Sequence, residues 1–206
     1  MFEENISAEE IEELALTAFE GPVSVIDTKD YEFEDSIEYL KHQKVIGFDT
    51  ETKPCFIHDG PKNPMATLQL SGGDKAFIFR LQHVGLPREV ARLLSDENVI
   101  KVGAAVRDDV RGLLKFRKFN PKGFVDLQKI AEDYGIMDKS VRKMAAIILG
   151  IKVSKAQRLS NWEASRLSGA QIKYAATDAW VCRAMYDKLM TSEKIAKNVR
   201  TSDDIS

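Results

Sequence analysis

Two cysteines and three histidines in 206 residues are too few for a disulfide framework, a clustered thiolate site or a histidine-built zinc centre. No apolar run approaches the roughly 20 residues that a membrane span needs. The acidic opening MFEENISAEE lacks the basic and apolar regions of a secretory signal. Internal repeats and low-complexity tracts are missing as well. Together these absences exclude secreted, membrane-spanning and zinc-finger classes. They leave as the expectation a soluble cytoplasmic protein with no membrane partner, long enough for one domain with a sizeable core.

Positive charge is nearly absent from the first 40 residues, which hold 13 acids and one base (Lys29). The rest of the chain carries a net charge of +10. Eight bases lie between Lys139 and Lys173 against the single acid Glu163. A basic body with an acidic flank suits a polyanion-binding protein, and a run of solvated helix faces produces the same count.

The patterning predicts a mixed α/β chain. Ser7 with Glu10 forms a capping box that opens an acidic helix over 8–19, broken by Gly21-Pro22. Val23–Ile26 reads as a short strand and 33–42 as a helix. Val45–Phe48 reads as a central strand that ends abruptly in Asp49-Thr50-Glu51. Met65–Leu70 and Ala76–Arg80 flank a turn at Ser71–Asp74. A helix over 87–95, a strand at Val99–Val102, a helix over 106–116 and a short strand at Phe124-Val125 follow. Helices over 127–134 and 140–149, a basic loop over 150–163 and a last helix capped by Ser168 and Gln171 complete the order. Consecutive strands joined by turns form an antiparallel meander, and strands reached through helices run parallel.

Four acids interrupt patterns that otherwise describe core. Asp49 and Glu51, two apart on a strand, share one face of the sheet. Such a pair repels itself unless protons or a cation neutralise it, and magnesium or manganese favours oxygen ligands. Taken alone, Asp-x-Glu also fits a helix cap beside an exposed acid. Asp109 shares the inward stripe of its helix with Ala105 and Leu113, where an acid requires a partner, although a first-turn acid is also favoured by the helix dipole. Tyr174 and Asp178, four apart, share a face of the last helix among small alanines.

Asp49-Thr-Glu51, Asp109 and Tyr174-x-x-x-Asp178 together resemble the three motifs of the DEDD 3′–5′ exonucleases. The tyrosine marks the branch that includes ribonuclease D and the Werner-type exonuclease domain. Arg158-Leu-Ser-Asn161-Trp162-Glu is similar to the run that precedes the third motif in that branch. The histidine branch requires His where this chain has Lys173. Ala105 departs from the family, which often places Asn there. The likeness covers residues 23–190, leaving 1–22 as an acidic helical segment and 191–206 as a flexible tail.

The resemblance implies a ribonuclease H-like fold with a mixed five-stranded sheet and helices on both faces. It implies a 3′–5′ exonuclease using two magnesium or manganese ions held by Asp49, Glu51, Asp109 and Asp178, with Tyr174 orienting the attacking water. The partner is then single-stranded or 3′-end nucleic acid, DNA or RNA. Lys152, Lys155 and Arg158 are candidates for phosphate contacts lying away from the metal ligands. Lys101, Arg107, Arg111 and Lys115 form the alternative path. Phe56 reads either as a wedge against the terminal base or as a loop anchor. Trp162 reads as a base-stacking platform or a core residue, the latter favoured. His58 is set aside as a ligand, because the carboxylates suffice. A non-catalytic nucleic-acid-binding module and an adaptor that recruits partners through the acidic segment are the competing functions. The clustered acids speak against the first.

Overall fold

A computed structural model describes residues 1–55 and 63–195. Six strands make one sheet: β1 (Val23–Ile26), β2 (Val45–Thr52), β3 (Met65–Ser71), β4 (Ala76–Arg80), β5 (Ile100–Gly103) and β6 (Phe124–Asp126), in the order β1-β4-β3-β2-β5-β6. The β2–β3–β4 meander is antiparallel, while β5 runs parallel to β2 and β6 parallel to β5. The sheet is one strand wider than the five expected. The additional edge is β1, which pairs parallel to β4 from Val23 beside Ala76 to Ile26 beside Phe79.

The helices are α1 (Ala8–Glu13), α2 (Tyr31–Lys41), α3 (Leu81–Val84), α4 (Arg88–Ser95), α5 (Val106–Phe116), α6 (Leu127–Ile130), α7 (Val141–Leu149) and α8 (Gly169–Met190). On one face of the sheet, Phe33 and Leu40 of α2, Val90 and Leu94 of α4 and Leu113 of α5 pack with Ile46, Phe48, Leu68 and Phe79. On the other, α8 lies across β2, β3, β4 and β5, and α7 packs beside it through Met144, Ala145 and Ile148.

Two helices are shorter than the sequence predicts. α1 begins with the expected capping box, in which Ser7 and Glu10 bond each other's backbone N–H at 3.2 and 2.8 Å, but it stops at Glu13. Residues 15–17 instead make a single parallel bridge to the basic loop. The Lys152 amide donates to the Ala15 carbonyl at 3.0 Å, and the Thr17 amide donates to the Lys152 carbonyl at 2.8 Å. The Phe19 amide then reaches the Thr177 hydroxyl of α8 at 3.0 Å, with the Phe19 ring buried. The stretch 127–134 divides into α6 and a 3-10 turn (Ala131–Tyr134). The tail expected from 191 lies mostly outside the described residues. Its start stays on the body, where the Ile195 amide donates to the Asp133 carbonyl at 3.0 Å.

α8 can lie this close to β2 because the contact has no side-chain volume between its partners. Ala175, Ala176 and Ala179 are fully buried. A Cβ on Gly47 would stand 1.8 Å from the Ala179 carbonyl oxygen. Gly47→Ala is therefore expected to push α8 off the sheet and destabilise the fold by about 3 kcal/mol or more, beyond the usual range for overpacking because backbone has to move. Equilibrium urea denaturation measures it, and an unchanged midpoint would refute the close approach.

Candidate active site

Strand alternation and the α8 contact together build the site. Gly47, Asp49 and Glu51 alternate onto the face covered by α8, with Asp49 beside Gln69 and Glu51 beside Thr67 in the register. Asp178 directly precedes Ala179, the residue pressed onto Gly47, so the contact delivers its carboxylate to the same place. Carboxylate oxygens of Asp49, Glu51 and Asp178 all lie within 4.8 Å of one another. Thr50, between the first two, points to the opposite face and donates from its hydroxyl to Asp109 Oδ1 at 2.6 Å. Asp109 thus enters from the first turn of α5 at the end of β2, outside the three-carboxylate group but close enough to repel Asp49 and Glu51. Asp108, its neighbour, is exposed and pairs with Arg111 at 3.2 Å.

Crowding and burial hold protons on these acids. Burial, then repulsion by Asp178, Glu51 and Asp109, raises Asp49 well above the carboxylate range. Burial and the neighbouring acids push Glu51 to about 8, with the Arg158 guanidinium pulling in the other direction. Asp178 is raised by burial, partly offset by a hydrogen bond from the Tyr174 hydroxyl. Asp109 is raised to about 6 by burial, against the bond from Thr50. Burial and the surrounding carboxylates also raise Tyr174, so its hydroxyl keeps its proton and donates. Its ring lies 6.0 Å from that of Trp162, tilted by 42°. Trp162 is fully enclosed, and the core reading holds because no face of the ring is open to a base.

Asp49, Glu51 and Asp178 open into a cleft of about 480 Å³ that is also lined by Ala8 and Ile11 of α1, by Ser140 and Arg142 near the start of α7, and by Lys155 and Arg158. Lys155 and Arg158 therefore stand in the cleft with these acids, rather than away from the metal ligands as expected. Lys152 does not line the cleft, and its ammonium is held beside it by the Glu12 carbonyl at 3.0 Å and carboxylate at 3.2 Å. Much of the basic run is already matched within the chain, with Lys139 paired to Glu132, Arg142 to Glu12, Lys143 to Asp138 and Lys173 to Glu20. The alternative path fails at its first residue, since Lys101 is buried in β5 and donates to the Asp96 and Val99 carbonyls at 2.6 and 2.7 Å. Phe56 and His58 fall outside the described residues.

Sequence reasoning missed Thr50 and the α1 wall. Strand alternation already placed the Thr50 hydroxyl opposite its acidic neighbours. Nothing local indicated that Ala8 and Ile11 would share a cleft with residues as distant in the chain as Asp49 and Asp178. At Ala105 the structure shows what the departure from the family involves. Ala105 is the one non-glycine residue with positive φ among those described (φ 56°), a conformation that asparagine tolerates better, and its amide donates to Asp126 Oδ1 at 3.0 Å.

The 3′–5′ exonuclease family profile matches residues 24–193. The chain belongs to this family. It is 35% identical over 150 residues to exonuclease 3′-5′ domain-containing protein 2 of Drosophila melanogaster, covering 71% of this chain and 25% of that one. It is 30% identical over 175 residues to ribonuclease D of Gluconacetobacter diazotrophicus, covering 84% and 43%. The chain thus spans less than half the length of these two relatives. Its backbone is similar to the Aedes aegypti Nibbler EXO domain, with a TM-score of 0.71 at 24% identity over 85% of this chain and 90% of that one.

The raised carboxylates carry a signed consequence. Between about pH 4 and pH 8 the folded chain holds protons that the unfolded chain has released, so stability falls as pH rises through that window. Without metal, the melting temperature is expected to be lower at pH 8 than at pH 5, and millimolar magnesium or manganese to restore it more at pH 8. Calorimetry in chelator and in metal checks this. A melting temperature that is flat or rises with pH in chelator would contradict the assigned proton uptake.

Proposed function

We propose that this chain is a metal-dependent 3′–5′ exonuclease that hydrolyses phosphodiester bonds at the 3′ end of a single-stranded nucleic acid and releases nucleoside 5′-monophosphates. The observation that carries the reading is the Asp49–Glu51–Asp178 group, half-buried, mutually repelling and open to a cleft with cationic walls. No structural demand of the fold calls for three carboxylates there, and hard divalent cations favour such an oxygen donor set. Family membership supports the same direction.

Asp49, Glu51 and Asp178 would hold a pair of divalent cations, with Asp109 assisting from α5. Magnesium or manganese, when bound there, would supply Lewis acidity for water activation and for the charge of the leaving 3′ oxygen. Thr50 fixes the Asp109 carboxylate so that it does not swing into solvent. Tyr174, protonated and fixed against Trp162, orients the attacking water by its hydroxyl. Arg158, close enough to Glu51 to oppose its raised pKa, balances phosphate charge at the rim, with Lys155 beside it. Arg80 of β4 is buried and bonds the carbonyls of Ala164 and Ser165, which steadies the loop behind this wall.

The test is digestion of 5′-labelled single-stranded DNA, recessed duplex DNA and structured RNA, side by side, in magnesium or manganese. Stepwise shortening from the 3′ end with 5′-monophosphate products is expected, and the three substrates separate the ribonuclease D-like from the DNA-directed alternative. Asp49→Asn should abolish the ladder while leaving the metal-free fold as stable or more stable, because a buried carboxyl that the crowded site must hold protonated is replaced by a neutral amide. Internal cuts, or a ladder that survives Asp49→Asn, would defeat the reading. Tyr174→Phe keeps the ring and loses the hydroxyl. Turnover should fall about 10²–10⁴-fold with substrate affinity retained, and a wild-type rate in single-turnover measurement would make the tyrosine purely structural.

A further inference from the structure

α1 brings a carboxylate to the rim of the cleft and places it between two cations. Glu12 Oε1 accepts from the Arg142 guanidinium, and Oε2 accepts from the Lys152 ammonium at 3.2 Å. The cations come from α7 and from the loop after it, and their side chains are only 22% and 19% exposed, whereas Glu12 is 63% exposed. Arg142 lines the cleft with the catalytic acids. Two half-desolvated cations that converge on one point require an anion there. The anion they hold is the most replaceable member of the trio, because an exposed side chain's ion pair is weak and screened by salt.

A carboxylate that bridges two cations through separate oxygens has the charge and fork geometry of two phosphate oxygens. We propose that Arg142 and Lys152 form a backbone-phosphate subsite beside the active centre, and that Glu12 is its built-in competitor. A single-stranded substrate displaces the Glu12 side chain, and one of its phosphates takes the same two donors. The proposal deepens the exonuclease reading above and rests on it. The acidic segment thereby acquires a role in substrate entry. An anion held in place keeps the cleft from retaining stray polyanions and makes entry depend on a phosphate that lies in register with the catalytic acids.

Removal of the competitor should strengthen binding, and by a salt-dependent amount. Full-length protein carrying Asp49→Asn, so that the substrate survives, is titrated with a fluorescein-labelled single-stranded oligonucleotide in magnesium at several salt concentrations. Adding Glu12→Gln should tighten binding at 50 mM salt. Two freed cations should steepen the log–log salt slope by roughly 1.4, so that the advantage shrinks about sevenfold by 200 mM. Glu12→Asp, too short to bridge both cations, should give part of the gain. Arg142→Gln with Lys152→Gln should erase the gain and should cost more affinity in the Glu12→Gln background than without it.

Glu13→Gln, an equal charge change on the same helix, is the control. An equal gain from Glu13→Gln would reduce the effect to net charge and overturn the subsite. So would an unchanged slope in Glu12→Gln, or a gain that survives loss of both cations. The digestion assay on the native chain reads the exonuclease function separately, so a chain that digests normally but fails these titrations loses the subsite alone.

Discussion

The approach of α8 to β2 is the contact on which the rest of the molecule depends. Gly47 and the buried Ala175, Ala176 and Ala179 let the helix backbone rest on the strand with no intervening side chain. Packed layers are normally held apart by the bulk of their side chains, as in stacked sheets about 10 Å from one another. Here that spacing is reduced at one point, immediately beside Asp178. The carboxylate of α8 consequently reaches those of Asp49 and Glu51, and one packing contact sets both the architecture of this face and the chemistry at its edge.

That proximity stores repulsion. Three carboxylates are crowded at a strand end while Asp109 adds its charge from α5, and the folded chain responds by keeping protons that free carboxylates lose. The surrounding structure is arranged to bear this. Thr50 donates to Asp109, the Tyr174 hydroxyl donates to Asp178, and Arg158 opposes the rise in Glu51. Each of these partners restrains one carboxylate without quenching the group. Divalent cations would displace those protons, and the stability lost in forming the site would be recovered when they bind.

The charge asymmetry of the chain has a similar logic. The acidic amino-terminal segment and the basic body face each other in the fold. Glu12 bridges Arg142 and Lys152, Glu20 pairs with Lys173, and the extended stretch after α1 is hydrogen-bonded to the basic loop. Several of the cations at and around the cleft are thereby matched by the chain's own acids. Lys155 and Arg158 remain in the cleft, where their charge adds to the field that a phosphate would meet.

Much of this was legible in the sequence because it is local. Period two placed Asp49 and Glu51 on one face, the helical period placed Tyr174 above Asp178, and Ser7–Glu10 and Ser168–Gln171 marked two helix starts that the structure reproduces. The order of strands and helices implied the antiparallel meander and the parallel strands after it. What tertiary structure decided was whatever required partners distant in the chain. β1 became a sixth strand because β4 offered it an open edge, and α1 stopped at Glu13 because Lys152, 139 residues on, offered backbone pairing. Trp162 was enclosed by packing that no window of sequence contains. The eight bases between Lys139 and Lys173 looked like one surface, and the fold divided them into cations already matched by acids and cations that face the cleft. Periodicity determines which side of an element a residue occupies. Which other element covers that side depends on long-range packing and charge pairing, and those exist only once the chain has closed on itself.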